Sequence, residues 1–177
     1  KKSKFYYQDI VDSEERILEK AEILITYGED LTKEYIEKAV SLKWIMVVSA
    51  GLEKMPLESI AARNILLTNA KGIHKIPMAE YTLGMILHYE KNLKTILRNK
   101  QKRIWDLELE VGELHGKVIL IIGVGAIGGE IARLTKAFGM RTVGINRSGN
   151  TVAYLDKLYQ VDQLNEALTI SDYVVSV

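Results

Sequence analysis

Apolar and polar positions along the chain follow two rhythms, and the switches between them predict its elements. Short apolar runs at Phe5–Gln8, Ile23–Thr26, Trp44–Val48 and Ile65–Thr68 read as strands. Between them lie stretches with helix signals. Asp12, with Glu15 three residues on, opens a short helix, Thr32 caps another through about Val40, and Pro56 begins a third that reaches about Arg63. Such alternation predicts a parallel sheet with helices on both faces. From Pro77 to about Lys102 the rhythm becomes helical, and Met78, Tyr81, Met85, Tyr89, Leu93, Ile96 and Leu97 recur along one long helix. Gly84 inside it suggests close approach of another backbone. Trp105 to His115 is a polar, acidic connector.

The clearest pattern follows. Val118 to Ile122 is a continuous aliphatic run, as in a strand buried on both faces. Gly123, Gly125 and Gly128 come next, at G-x-G-x-x-G spacing. Ala126 to Phe138 is helical, with Ile127, Ile131, Leu134 and Phe138 on one face, and Gly139 ends it. Arg141 to Ile145 is a second strand. Further on, Leu158–Val161 reads as a short strand, Asp162 as the cap of a helix through Leu168, and Tyr173–Val177 as a buried strand. In a doubly wound sheet this last strand lies beside Val118–Ile122. Two units follow: residues 1–76, and residues 77–177 containing the long helix and the glycine turn.

Spacing gives the glycines a chemistry. Gly123 permits the tight turn, Gly125 lets a pyrophosphate approach the backbone, and Gly128 lets helix pack on strand. The free N–H groups and dipole of the helix start then face phosphate. For NAD, the second strand should end in Asp or Glu to hold the ribose 2′-hydroxyl. This chain has Asn146, then Arg147 and Ser148. No anion is present there to repel a 2′-phosphate, and the arginine and serine can both bond it. That favours NADP, with NAD still possible and a solvent-pointing Arg147 as the bland alternative.

Composition narrows the rest. Of 177 residues, 47% are hydrophobic, enough for a core, and the net charge of +1 makes no case for nucleic acid or an anionic membrane. The basic run in the second half of the long helix reads as a solvated helix end. Cysteine is absent, which removes disulfides, thiol nucleophiles and thiolate metal sites. No apolar run approaches the roughly 18 residues of a membrane span, and the N-terminal stretch lacks a signal-peptide core. A cytoplasmic protein is expected. Both ends read as cut through strands, as in an internal piece of a longer chain.

Ser49-Ala50-Gly51 follows the third strand, where ligands bind in open α/β sheets. Its small residues could offer backbone N–H groups to a carboxylate, or form an ordinary loop. His74 poses the same choice, with a hydrogen-bonded loop histidine the blander reading. His88, mid-helix, and His115, before a turn, read as structural.

These motifs together resemble a known family. The combination of VVSAG, NAKGIH before PMAE, GVGAIGGE and INRS is similar to the D-isomer-specific 2-hydroxyacid dehydrogenases over nearly the whole chain. NRS looks like the glyoxylate- and hydroxypyruvate-reductase-like members, which prefer NADP. The resemblance implies a partial flavodoxin-like substrate domain joined by the long helix to a partial Rossmann domain, usually in a homodimer. It implies a substrate carboxylate on the backbone of Ala50 and Gly51, with Ser49 and His74 near the cleft. It places phosphates on Ala126 and Ile127 and the adenosine ribose near Asn146–Ser148. The implied reaction is hydride transfer between nicotinamide and a small 2-oxo or 2-hydroxy acid. The family's arginine, glutamate and histidine fall after the strand on which this chain stops, so no catalytic residue is assigned and the 177-residue chain alone is expected to be inactive. The alternative is a cofactor-sensing interaction protein, like the family's corepressor relatives. No metal site is expected.

Overall fold

The computed structural model describes Tyr6 and residues 15–150 and 152–177. The strand expected over Phe5–Gln8 and the cap at Asp12 lie outside the described residues, Tyr6 apart. The chain divides into two compact units, Lys1–Ile73 and His74–Val177.

In the first unit the order is α1 (Glu15–Lys20), β1 (Ile23–Thr26), α2 (Lys33–Lys38), β2 (Trp44–Val47), α3 (Leu57–Ala62) and β3 (Leu66–Asn69). The strands are parallel in the order β1-β2-β3. Thr32 caps α2 as its sequence predicts, accepting the Tyr35 N–H at 3.4 Å. Pro56 is the cap of α3 rather than its first helical residue. Ile45 and Val47 of β2 pack with Leu18 of α1, Ile36 of α2 and Ile60 of α3 in a single core.

The expectation of helices on both faces fails among the described residues of this unit. The order β1-β2-β3 advances in one direction, and right-handed crossovers that never reverse lay their helices on one face. The other face carries Ile23, Trp44 and Leu66 in register, then Ile25, Met46 and Thr68. Ile23, Ile25 and Leu66 on it are exposed.

The second unit opens with two helices where the sequence predicts one: α4 (Lys75–Glu90) and α5 (Leu93–Lys102). The chain breaks at Asn92, which adopts φ +50°. Asparagine tolerates this left-handed region better than most residues. Pro77 lies inside the first turn, not at its start, where its missing N–H costs no helical bond. The apolar stripe also faces the unexpected way. Ala79 and Ile86 are buried, with Leu83 and Leu87 packed beside them, while Met78, Tyr81, Met85 and Tyr89 point outward. Gly84 lies on the outward side, and a Cβ there would meet nothing within 4 Å, so no backbone among the described residues approaches it.

The sheet follows: β4 (Val118–Ile122), α6 (Ala126–Ala137), β5 (Arg141–Ile145), β6 (Lys157–Tyr159), a 3-10 turn (Val161–Gln163), α7 (Leu164–Thr169) and β7 (Tyr173–Ser176). The strand before the turn thus ends at Tyr159. The turn's cap is Gln160, in a reciprocal capping box with Gln163, and not Asp162. All four strands are parallel in the order β6-β5-β4-β7, so β7 lies beside β4 as expected. Here the order does reverse, and helices cover both faces. Ile119 and Ile121 of β4 pack with α4 and α6, while Val118 and Leu120 pack with Tyr159 and Ala167. The unbroken aliphatic run of β4 is the signature of this double burial.

One polar cluster holds the far end of this sheet. The buried Glu90 carboxylate accepts the Tyr173 hydroxyl and lies 3.5 Å from Lys117 Nζ. Its backbone carbonyl accepts the Gly112 N–H at 2.8 Å. Among the described residues, no helix is long and apolar enough to cross a membrane.

Candidate cofactor and carboxylate sites

The glycine turn joins β4 to α6 at the carboxyl ends of the strands. Gly123 adopts φ +95°, and a Cβ on it would stand 2.4 Å from the backbone oxygen of Val177, beside β7. Gly128 is equally confined: its Cβ would stand 2.2 Å from the Gly123 oxygen. Gly125 differs. A Cβ there would meet no atom within 4 Å, because its α-carbon faces the open concavity at the helix start. Gly125 is the N-cap of α6, and no side chain caps that end. The first-turn N–H groups, those of Ala126 and Ile127 included, therefore have no side-chain acceptor, the condition under which a helix start holds an anion.

The concavity has a volume of about 520 Å³. Ile122–Gly125 form one wall, Ile145–Ser148 and Asn150 a second, and Val152, Val161 and Val177 complete it. No carboxylate side chain lines it, and Arg147 is its one cationic lining residue among the described residues. The strand order reverses between β4 and β7 beside it, which is where ligands bind in open parallel sheets.

The loop after β5 is braced from within. Asn146 Oδ1 accepts the Gly149 N–H at 2.7 Å, and its Nδ2 donates to the Asn150 carbonyl at 3.0 Å. Ser148 Oγ accepts the Asn150 N–H at 3.3 Å. Gly149 has φ +68° and backs onto Gln160. These bonds occupy Asn146, the half-buried member, and leave the exposed Arg147 guanidinium without a hydrogen bond or ion pair among the described residues. The Ser148 hydroxyl still has its proton to donate.

Below the loop, Asp156 fastens β5 to β6. Its carboxylate pairs with Lys136 and accepts the Thr142 N–H at 2.8 Å and the Thr142 hydroxyl at 3.1 Å. The Lys136 ammonium first, then these Thr142 bonds, hold its carboxyl below the usual range.

In the first unit, the Ser49–Gly51 loop follows β2. Ser49 Oγ lies 3.2 Å from the Tyr27 carbonyl and 3.4 Å from that of Gly51, so its one proton points back into the fold. The carboxylate of Glu53 lies against Gly51, where a Cβ would stand 2.4 Å from Oε2. Asn69, the first residue of the NAKGIH motif, has a role that the motif does not reveal: its Nδ2 donates to the Ala50 carbonyl at 2.6 Å. The signal was its place at the end of β3, one strand over from the small-residue loop.

None of the three histidines lines the concavity beside the glycine turn. His74 is the exposed N-cap residue of α4 and makes no side-chain cap bond. His115 packs against Gly139, at the opposite end of β4 from the turn, and His88 is half-buried in α4. Among the described residues, no cluster of His, Asp and Glu could hold a metal.

The family profile described as D-isomer specific 2-hydroxyacid dehydrogenase, NAD binding domain, matches residues 83–177. D-3-phosphoglycerate dehydrogenase of Methanocaldococcus jannaschii is 31% identical over 168 residues, which cover 92% of this chain and 32% of that protein. Glyoxylate reductase of Pyrococcus furiosus is 30% identical over 173 residues, covering 91% of this chain and 52% of the reductase. Among solved structures, a D-isomer specific 2-hydroxyacid dehydrogenase family protein from Aeromonas salmonicida subsp. salmonicida superposes with a TM-score of 0.78 at 32% identity, over 92% of this chain and 52% of that one. The chain thus spans about a third to a half of the length of these three proteins.

Proposed function

The chain belongs to the D-isomer specific 2-hydroxyacid dehydrogenases, and on that footing we propose that it holds NADP for the reduction of a small 2-oxo acid. The cofactor supplies a hydride to the α-carbon of the acid, and in the reverse direction accepts one from a 2-hydroxy acid. The residues of this chain bind and orient the two partners. In this reading the pyrophosphate rests on the uncapped start of α6, at Ala126 and Ile127, with Gly123, Gly125 and Gly128 shaping the approach. Asn146 holds the loop that presents Arg147 and Ser148 to the 2′-phosphate. The substrate carboxylate takes the backbone N–H groups of Ala50 and Gly51, with Ser49 bracing that loop.

The observation that carries the cofactor preference is Arg147, without a partner among the described residues, on the wall of a pocket that no described carboxylate side chain lines. A charge-assisted hydrogen bond to a 2′-phosphate contributes about 1.5–3 kcal/mol, or roughly ten- to a hundredfold in affinity. The test is titration of the full-length protein with NADPH and NADH. Arg147→Ala lowers NADPH affinity by about that factor and leaves NADH affinity unchanged. Tighter binding of NADH by the wild type, or no loss of NADPH affinity in the variant, refutes the preference.

The 177-residue chain alone binds cofactor without turning over glyoxylate or hydroxypyruvate, since it carries no assigned acid–base pair. The full-length protein is a homodimer joined through the outward face of α4 and α5. Its setting is the cytoplasm. The alternative of an interaction protein draws no support from the matched relatives, which are named as dehydrogenases and a reductase.

A further inference from the structure

The carboxylate loop is anchored in a way that fixes its donors. The Ser49 carbonyl accepts the Ala70 N–H at 3.1 Å, a donor shared with the Val47 carbonyl at 3.0 Å, and the Ala50 carbonyl accepts Asn69 Nδ2 at 2.6 Å. Both anchors come from the end of β3. In a trans peptide, the C=O and the following N–H point in opposite directions. Pinning the Ser49 carbonyl toward β3 therefore turns the Ala50 N–H away from it. Pinning the Ala50 carbonyl does the same to the Gly51 N–H. Neither N–H donates to any described residue. Two adjacent backbone donors, turned the same way and left without acceptors among the described residues, can take up an anion once the Glu53 side chain, which lies against Gly51, swings aside.

We propose that Asn69 is a positioning residue for carboxylate recognition. Its side-chain amide holds the Ala50–Gly51 peptide in the orientation that presents the Gly51 N–H to the carboxylate of a small acid. The proposal rests on the reading that this loop receives a substrate carboxylate, and it adds the side chain that makes the loop competent. The Ala70 bond is made by backbone and survives any side-chain change, so the Asn69 bond is the part that mutation can remove. An aspartate at this position has the same shape and no proton to donate. It also sets a negative charge behind the cradle.

The experiment uses the full-length enzyme, with glyoxylate as substrate, oxalate as a carboxylate inhibitor and NADPH binding as control. Asn69→Ala raises the glyoxylate KM and the oxalate inhibition constant by about three- to tenfold, the range expected for one lost hydrogen bond. Asn69→Asp, the isosteric variant, raises both further. Affinity for NADPH stays at the wild-type value in both, and kcat changes less than KM. An unchanged oxalate constant in Asn69→Asp overturns the proposal, and so does an equal loss of oxalate and NADPH affinity, which marks general damage. If the wild type reduces no 2-oxo acid, the functional reading itself falls. If it does and Asn69→Asp matches it, only the role of Asn69 falls.

Discussion

Asp156 concentrates in one carboxylate the bonds that fasten β5, the strand leading into the Arg147 loop, to β6. Lys136 and the two Thr142 donors lower its pKa in the folded state. A carboxyl with a depressed folded pKa stabilises the fold above its unfolded value, about 3.9 for aspartate. That contribution disappears as pH falls through the depressed folded value. Asp156→Asn removes it at every pH, so the variant melts below the wild type at pH 7 and the gap narrows on acidification toward pH 3. Melting curves at the two pH values check this, and a gap that stays constant sinks it. Neither Asp156 nor Asn146 could be read for this role from sequence. Asn146 was legible as a missing acid, which bears on the cofactor. Its bracing bonds depend on where the chain carries Gly149 and Asn150, and no local pattern records that path.

The glycine turn, an element read correctly from sequence, separates fold from binding. Gly128→Ala sets a Cβ 2.2 Å from the Gly123 oxygen and 3.0 Å from Ile121 Cγ2, so backbone must move. Such overpacking costs about 1–3 kcal/mol, and the melting temperature falls without any cofactor present. Gly125→Ala meets no protein atom, and its φ of −79° suits an L-residue. Its melting temperature holds, while NADPH affinity drops because the methyl group stands where the pyrophosphate approaches. Undiminished NADPH binding in Gly125→Ala would remove the phosphate from this turn. The turn was legible because β4 is buried on both faces and declares itself as an unbroken aliphatic run. The break between α4 and α5 was not, since Asn92 takes the left-handed conformation without a glycine or proline to announce it. The helices of the first unit were legible one by one. Their common face was set by strand order, which sequence does not show.

For the molecule as a whole, the helical rhythm of residues 78–97 had a second meaning. Its apolar positions predict a buried stripe, yet Tyr81, Met85 and Tyr89 lie outward, and Tyr89 is 77% exposed. The connector adds Trp105 and Leu107, 87% and 83% exposed. A run of exposed large apolar side chains of this extent marks an interaction surface. The proposed occupant is a second copy of the chain, and sedimentation of the full-length protein then gives a dimer that the pair Tyr81→Glu and Met85→Glu converts to monomers. Gly84, between them on the same face, supplies an independent check. In an isolated protomer Gly84→Ala meets no neighbour and gains about 1 kcal/mol of helix propensity. Across a close helix contact the added methyl group has to be accommodated, and overpacking opposes that gain. Gly84→Ala therefore dissociates more readily on dilution than the wild type if α4 packs on its copy through this glycine. A dimer unmoved by both Gly84→Ala and the paired glutamates would place the interface on another face.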